Sequence, residues 1–174
     1  SITHITLQGC SLFIEFKSNA RLRRIIAAVD DLKAQGMEGL IVDIRDNPGG
    51  LLSCVVDMLD YMLPEGTIVY TEDKNGEGDT YTSDAEHYFD LPLAVLVNGN
   101  SASASEIFSG AIQDYETGTI IGTQTFGKGI VQSILPFNDG SAIKITVSRY
   151  FTPRGTCIHK EGITPDVEVE LNEE

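Results

Sequence analysis

The stretch Gly39-Leu40-Ile41-Val42-Asp43-Ile44-Arg45-Asp46-Asn47-Pro48-Gly49-Gly50 decides the fold class. It opens with a short apolar run of the kind found in a strand buried within a parallel sheet. Asn47-Pro48-Gly49-Gly50 breaks that run sharply, and Leu52–Met62 then takes up helical spacing before Pro64. The unit reads as strand, turn, helix. A second such unit follows: Leu93–Val97 is another buried strand, succeeded by a serine-rich turn and a helix to about Tyr115.

The rest of the chain fits around these two units. Thr3–Phe16 is rich in β-formers and predicts one or two strands around Gly9-Cys10. Asn19 can cap a helix whose apolar residues Leu22, Ile25, Ile26, Val29 and Leu32 share one face, ending at Gly36. Thr67–Tyr70 and Thr80–Thr82 flank Asp73-Lys74-Asn75-Gly76-Glu77-Gly78, a strong hairpin signal. Thr119–Gly122, Gln132–Pro136 and Ala142–Ser148 predict further strands, with a tight turn at Asn138-Asp139-Gly140. Strands alternate with helices in the first two-thirds and dominate the last third. No repeat, low-complexity tract or linker interrupts the chain. The expectation is one domain over residues 1–174, an α/β fold of stacked β-β-α units.

Composition narrows the function. A chain of 174 residues can bury a real core, and 41% apolar content is ordinary for a globular protein. No apolar run approaches the ~18 residues of a membrane span, and Ser1–Phe16 lacks the basic start and apolar centre of a signal peptide. A net charge of −14 argues against nucleic acid, which needs clustered Lys and Arg. Cys10, Cys54 and Cys157 lie far apart without a C-x-x-C pair, and His4, His87 and His159 are equally scattered. The pattern therefore predicts no metal and no cofactor, leaving catalysis to side chains and backbone.

Two motifs carry candidate chemistry. In Val97-Asn98-Gly99-Asn100-Ser101-Ala102-Ser103-Ala104-Ser105-Glu106, small hydroxyl residues stand between a strand and a helix. Ser103-x-x-Glu106 also fits a capping box, which by itself would explain the serine. Spacing alone does not choose among Ser101, Ser103 and Ser105. In Thr125-Phe126-Gly127-Lys128-Gly129-Ile130-Val131-Gln132, a lysine sits between two glycines with an amide four residues on. A serine becomes a nucleophile when a base takes its proton, and a desolvated lysine can be that base. The uncharged amide of Gln132, followed by apolar Ile134 and Leu135, could orient the amine without holding it protonated. The G-x-x-x-x-G-K-[ST] phosphate loop is absent. Asn47-Pro48-Gly49-Gly50 is at least a turn, and its glycines let backbone N–H groups approach a substrate carbonyl.

These residues resemble the carboxyl-terminal processing peptidases, or tail-specific proteases. The resemblance runs from about Phe16 to Val169. It rests on Asp43–Gly50, the serine and lysine motifs, Arg149-Tyr150-Phe151-Thr152-Pro153 and Gly162-Ile163-Thr164-Pro165-Asp166. It implies a crotonase-like spiral core and a serine endopeptidase with a Ser–Lys dyad acting on C-terminal regions of protein or peptide substrates. By that pattern Ser103 is the nucleophile, Lys128 the base and Gln132 its hydrogen-bonding partner. Gly49 or Gly50, with Ala104, would supply the oxyanion-binding amides. Asp43 and Arg45 would hold the glycine loop, the two later motifs would pack and turn the last strands, and His159 would play no catalytic part. The family usually adds a PDZ domain, and this chain reads as the core without one. The resemblance further implies an extracytoplasmic location, in the cell envelope or secreted, and is compatible with a homo-oligomer. The rival reading is a non-catalytic peptide- or ligand-binding module on the same fold.

Overall fold

The computed structural model describes residues 3–6, 19–84 and 86–170, with side chains left aside at 3–6 and 19–22. The strands expected between residues 7 and 16 lie outside the described residues. Elsewhere the chain forms β1 (Thr3–Thr6), α1 (Asn19–Ala34), β2 (Leu40–Asp43), α2 (Leu52–Met62), β3 (Gly66–Glu72) and β4 (Thr80–Ser83). It continues through β5 (Leu93–Val97), α3 (Ala104–Asp114), β6 (Thr119–Gly122), β7 (Ile130–Pro136), β8 (Ala142–Phe151) and β9 (Val167–Glu168).

The strands divide into two sheets. One is parallel throughout, in the order β1-β2-β5-β6-β9, and the other is antiparallel, in the order β4-β3-β8-β7. The parallel sheet holds the near-continuous apolar runs, as burial on both faces requires. Leu40, Val42, Val95, Val97 and Ile120 are buried in it. α3 touches β6 of this sheet and β3 of the other, and α2 packs on α3, β3 and β4. The core thus fills the space among the helices and both sheets, with Val55, Leu59, Leu63, Ile68, Val69, Ala111, Ile112 and Ile158 all fully buried.

Local rules explain the element ends. α1 closes on Gly36, whose φ of +87° is left-handed, while Met37 N–H bonds to Leu32 C=O and Gly36 N–H to Lys33 C=O. That paired closure needs a residue without a Cβ penalty. α2 ends when Leu63 N–H bonds to Leu59 C=O and Pro64 forbids continuation. The last parallel strand, not foreseen from sequence, is two residues long and pairs with β6 through backbone bonds, Asp166 N–H to Ile120 C=O at 2.8 Å and Val169 N–H to Gly122 C=O at 2.9 Å. Asp166 accepts from Ile120 N–H at 2.7 Å and from Gln113 Nε2 at 2.7 Å, so Gly162–Asp166 turns and packs the final segment as expected.

Two boundaries differ from expectation. β7 begins at Ile130 and β8 runs on to Phe151, absorbing the first residues of the Arg149–Pro153 motif. The outer β7–β8 ribbon is solvent-facing on both sides, with Ile134 67% and Leu135 48% exposed. The apolar shelter expected beside Gln132 is not formed by the described residues: among them β7 pairs only with β8, and no element covers the ribbon's outer half.

Leu59 tests the core. Truncating this fully buried side chain to alanine should cost about 3 kcal/mol of unfolding free energy, read from the urea midpoint at unchanged slope.

Candidate active site

β2 and β5 are adjacent parallel strands, so their C-terminal ends deliver the Asn47–Gly50 turn and the Asn98–Ser103 turn to the same place. The crevice outside such strand ends is where α/β sheets build sites. Asp43, 1% exposed, opens the first turn by taking Arg45 bidentately, at 2.9 Å to Nε and 2.6 Å to Nη2. That pairing holds the guanidinium above its ordinary pKa. The two turns are then joined through Asn47. Its carbonyl accepts from Ala102 N–H and from Ser105 Oγ, both at 3.0 Å.

The three serines have separate fates. Ser101 is fully buried, donates to Ile44 C=O at 2.7 Å and accepts from Asn98 N–H at 3.0 Å. Ser105 is buried and donates to Asn47. Ser103 alone is half-buried, at the junction into α3, with φ +59° and ψ −116°. A left-handed φ at a non-glycine residue costs of order 1–3 kcal/mol and persists only where the surroundings impose it. Strained strand-to-helix turns of this kind are how hydrolases present a serine.

Gly49 approaches that serine so closely that no side chain fits. A Cβ there would stand 2.5 Å from Ala102 O, 2.7 Å from Ala104 N and 2.9 Å from Ser103 Cβ, and its φ is +89°. Its own N–H is taken, donating to Asn47 Oδ1 at 2.9 Å. The N–H groups of Gly50 and of Ala104, the first residue of α3, have no hydrogen-bond partner among the described residues.

The capping box of α3 forms, and its glutamate does much more than cap. Glu106 is fully buried. One carboxylate oxygen, Oε1, accepts from Thr125 Oγ1 and Gly127 N–H, each at 2.6 Å. The other, Oε2, accepts from Ser103 N–H and Lys128 N–H, each at 2.8 Å. Because these two amides share one oxygen, their separation cannot exceed twice that distance. Burying a carboxylate is costly unless hydrogen bonds replace water, and here four donors do so. Thr125 Oγ1 in turn accepts from Ile163 N–H at 2.7 Å, drawing in the Gly162–Asp166 motif.

The lysine turn is thus fixed at its backbone and free at its tip. Lys128 and Gln132 are both exposed, and among the described residues neither Ser103 Oγ nor Gln132 bonds to the Lys128 amine. Lys128 is exposed rather than sheltered by the described residues. His159 is a residue that sequence reasoning set aside. Segment 158–161 packs directly on the lysine turn: Lys160 N–H bonds to Gly127 C=O at 2.8 Å, and a Cβ on Gly129 would lie 2.4 Å from His159 N. His159 Nδ1 is the one buried side-chain polar atom without a partner among the described residues. No spacing in the chain signals that proximity. Among the described residues, no group of three or more His, Cys, Asp or Glu could hold a metal ion.

A mixed α/β fold thus brings a strained serine at a strand-to-helix turn against a glycine loop. The particular family follows from comparison: the model of peptidase family S41 matches residues 8–169, and the chain belongs to that family. The carboxyl-terminal-processing protease of Synechocystis sp. is 46% identical over 156 residues, covering 90% of this chain and 36% of that protein. The carboxy-terminal processing protease CtpA of Bacillus subtilis is 38% identical, covering 88% and 33%. Among solved structures, a photosystem II D1 C-terminal processing protease superposes with a TM-score of 0.83 at 39% identity, covering 88% of this chain and 40% of that one. The chain thus spans roughly a third of the length of these curated relatives.

Glu106→Gln tests the buried carboxylate. An amide in its place would turn an N–H₂ group toward two donors, costing about 3 kcal/mol of stability by urea denaturation. Gly49→Ala should leave the chain unreactive toward a serine-directed phosphonate, since the Cβ must displace the Ser103 turn.

Proposed function

We propose that this chain is the peptidase core of a carboxyl-terminal processing endopeptidase of serine type, working by a Ser–Lys mechanism. Membership of a peptidase family makes proteolysis the chemistry to explain. The observation that carries the residue assignment is the contrast among the three serines: Ser101 and Ser105 are tied off in buried hydrogen bonds, while Ser103 stands half-exposed at a strained turn. Ser103 Oγ attacks the peptide carbonyl carbon, and the Lys128 amine takes the hydroxyl proton and passes it to the leaving amine. Gln132 orients that amine. The oxyanion is received by the N–H groups of Gly50 and Ala104, while Gly49 supplies the close approach and keeps its own N–H on Asn47.

The exposed Lys128 tip sets the remaining step. Glu106 already anchors the Lys128 amide beside the Ser103 amide, and rotation of the Lys128 side chain toward Ser103 would close the dyad. A bound peptide that excludes water from the crevice would favour that rotation, since the amine then finds its partners in protein. We read residues 1–174 as one crotonase-like core domain. The substrates are unfolded C-terminal regions of proteins, and the location extracytoplasmic, as with the resembled family. No described helix is long and apolar enough to cross a membrane.

Labelling with a fluorophosphonate is the direct test. Ser103→Ala should abolish it, while Ser101→Ala and Ser105→Ala should keep it at some cost in stability. Labelling that survived in Ser103→Ala would refute the assignment. Lys128→Arg should lose at least about 100-fold in peptide hydrolysis, because a guanidinium keeps its proton throughout the working range. An arginine variant of near-normal rate would remove Lys128 from the role of base.

A further inference from the structure

Outside the groups already assigned, Asp46 stands between the two turns that meet at the site. It is exposed and left-handed, with φ +56°. Its N–H donates to Asn98 Oδ1 at 2.9 Å, and Asn98 Nδ2 donates back to Asp46 Oδ1 at 2.9 Å. Asn100 Nδ2 donates to the same Oδ1 at 2.7 Å, while Asn100 N–H bonds to Asn98 Oδ1 at 3.1 Å. One residue on the β2 turn therefore grips both asparagines of the Asn98-Gly99-Asn100 turn after β5.

We propose that Asp46 is a positioning residue that sets the distance between the two oxyanion donors, resting on the peptidase reading above. Gly50 N–H hangs from the Asn47–Gly50 turn, and Ala104 N–H hangs from the Ser101–Ser103 turn. Each turn is pinned at its base, through Ser101 to Ile44 and through Asn47 to Ala102 and Ser105. Those pins lie on the buried side. On the solvent side, the Asp46–Asn98–Asn100 bonds are what stop the two turns from rocking apart. Donors must sit within hydrogen-bond reach of where the oxyanion will form, and a shift of about 1 Å can cost up to 100-fold. Asp46 does not touch the substrate. Its carboxylate is an acceptor for two amide donors at once, a role that an oxygen can fill without charge.

The test compares Asp46→Gly, Asp46→Asn and Asn100→Ala in the whole chain. Glycine suits the left-handed backbone, so it removes the side chain without adding strain. Asparagine keeps an oxygen at Oδ1. The readouts are kcat and KM on an unfolded peptide, the Ki of a peptide aldehyde, and the melting temperature. The aldehyde probes the donors directly: Ser103 Oγ adds to its carbonyl carbon and the former carbonyl oxygen occupies the oxyanion position. Asp46→Gly should lose roughly 10-fold in kcat and the same factor in aldehyde affinity, with KM within about 2-fold. Asp46→Asn should recover most of both. The double variant Asp46→Gly/Asn100→Ala should be no worse than Asp46→Gly, since both remove one clamp. Unchanged kcat and aldehyde affinity in Asp46→Gly, a loss confined to KM or melting temperature, or no recovery in Asp46→Asn would each overturn the proposal. A parent chain that neither hydrolyses peptide nor reacts with aldehyde or fluorophosphonate would instead overturn the peptidase reading and the proposal with it.

Discussion

The site depends on one buried carboxylate. Glu106 lies in the first turn of α3, without exposure, and accepts hydrogen bonds from four donors on two separate stretches of chain. A helix N-terminus favours negative charge, and its free amides welcome an acceptor. The glutamate is therefore stable where it sits, and both of its oxygens reach the lysine turn, Oε1 through Gly127 and Oε2 through Lys128. Loss of that link would free the turn between β6 and β7 from the helix that carries Ser103, leaving four donors to find water in a closed space.

Around that carboxylate the two sheets divide the work. The parallel sheet brings the glycine turn and the serine turn side by side at strand C-termini, because β2 and β5 are neighbours in register. The antiparallel sheet carries the lysine turn in from the other direction, since β7 starts two residues after Lys128. Segment 158–161 then closes over the back of Gly127 and Gly129, which have no Cβ to obstruct it. At Gly49, Gly127 and Gly129 the nearest neighbour of an added Cβ would be a backbone atom. Side chains act mainly as hydrogen-bonded spacers, which explains why glycine occupies positions 49, 127 and 129.

Much of this was legible in the chain. Periodicity and breakers located α1, α2 and the strands β2 to β6 to within a few residues, because each is a strongly patterned run bounded by Gly, Pro or Asn. The serine, lysine and glycine motifs were visible for the same reason: each is local. The outer β7–β8 ribbon was misjudged, since apolar residues at 134 and 135 suggest shelter while the fold leaves them facing water. The short β9 escaped notice because two residues carry no period, and it forms only by pairing with β6, whose residues lie 46 positions earlier in the chain.

What the sequence determined by itself was the α/β class, the strand–turn–helix units and the family resemblance that singled out Ser103, Lys128 and Gln132. These follow from patterns that repeat or cluster within a dozen residues. What only the tertiary structure decided was how distant segments meet. Glu106 became a junction as well as a cap, Ser101 and Ser105 were consumed by carbonyls 57 and 58 positions away, and His159 came to rest behind the lysine turn. Hydrogen bonds between segments far apart in the chain leave no periodic trace in it. They are fixed by the packing of two sheets around common helices, and no local spacing encodes that packing.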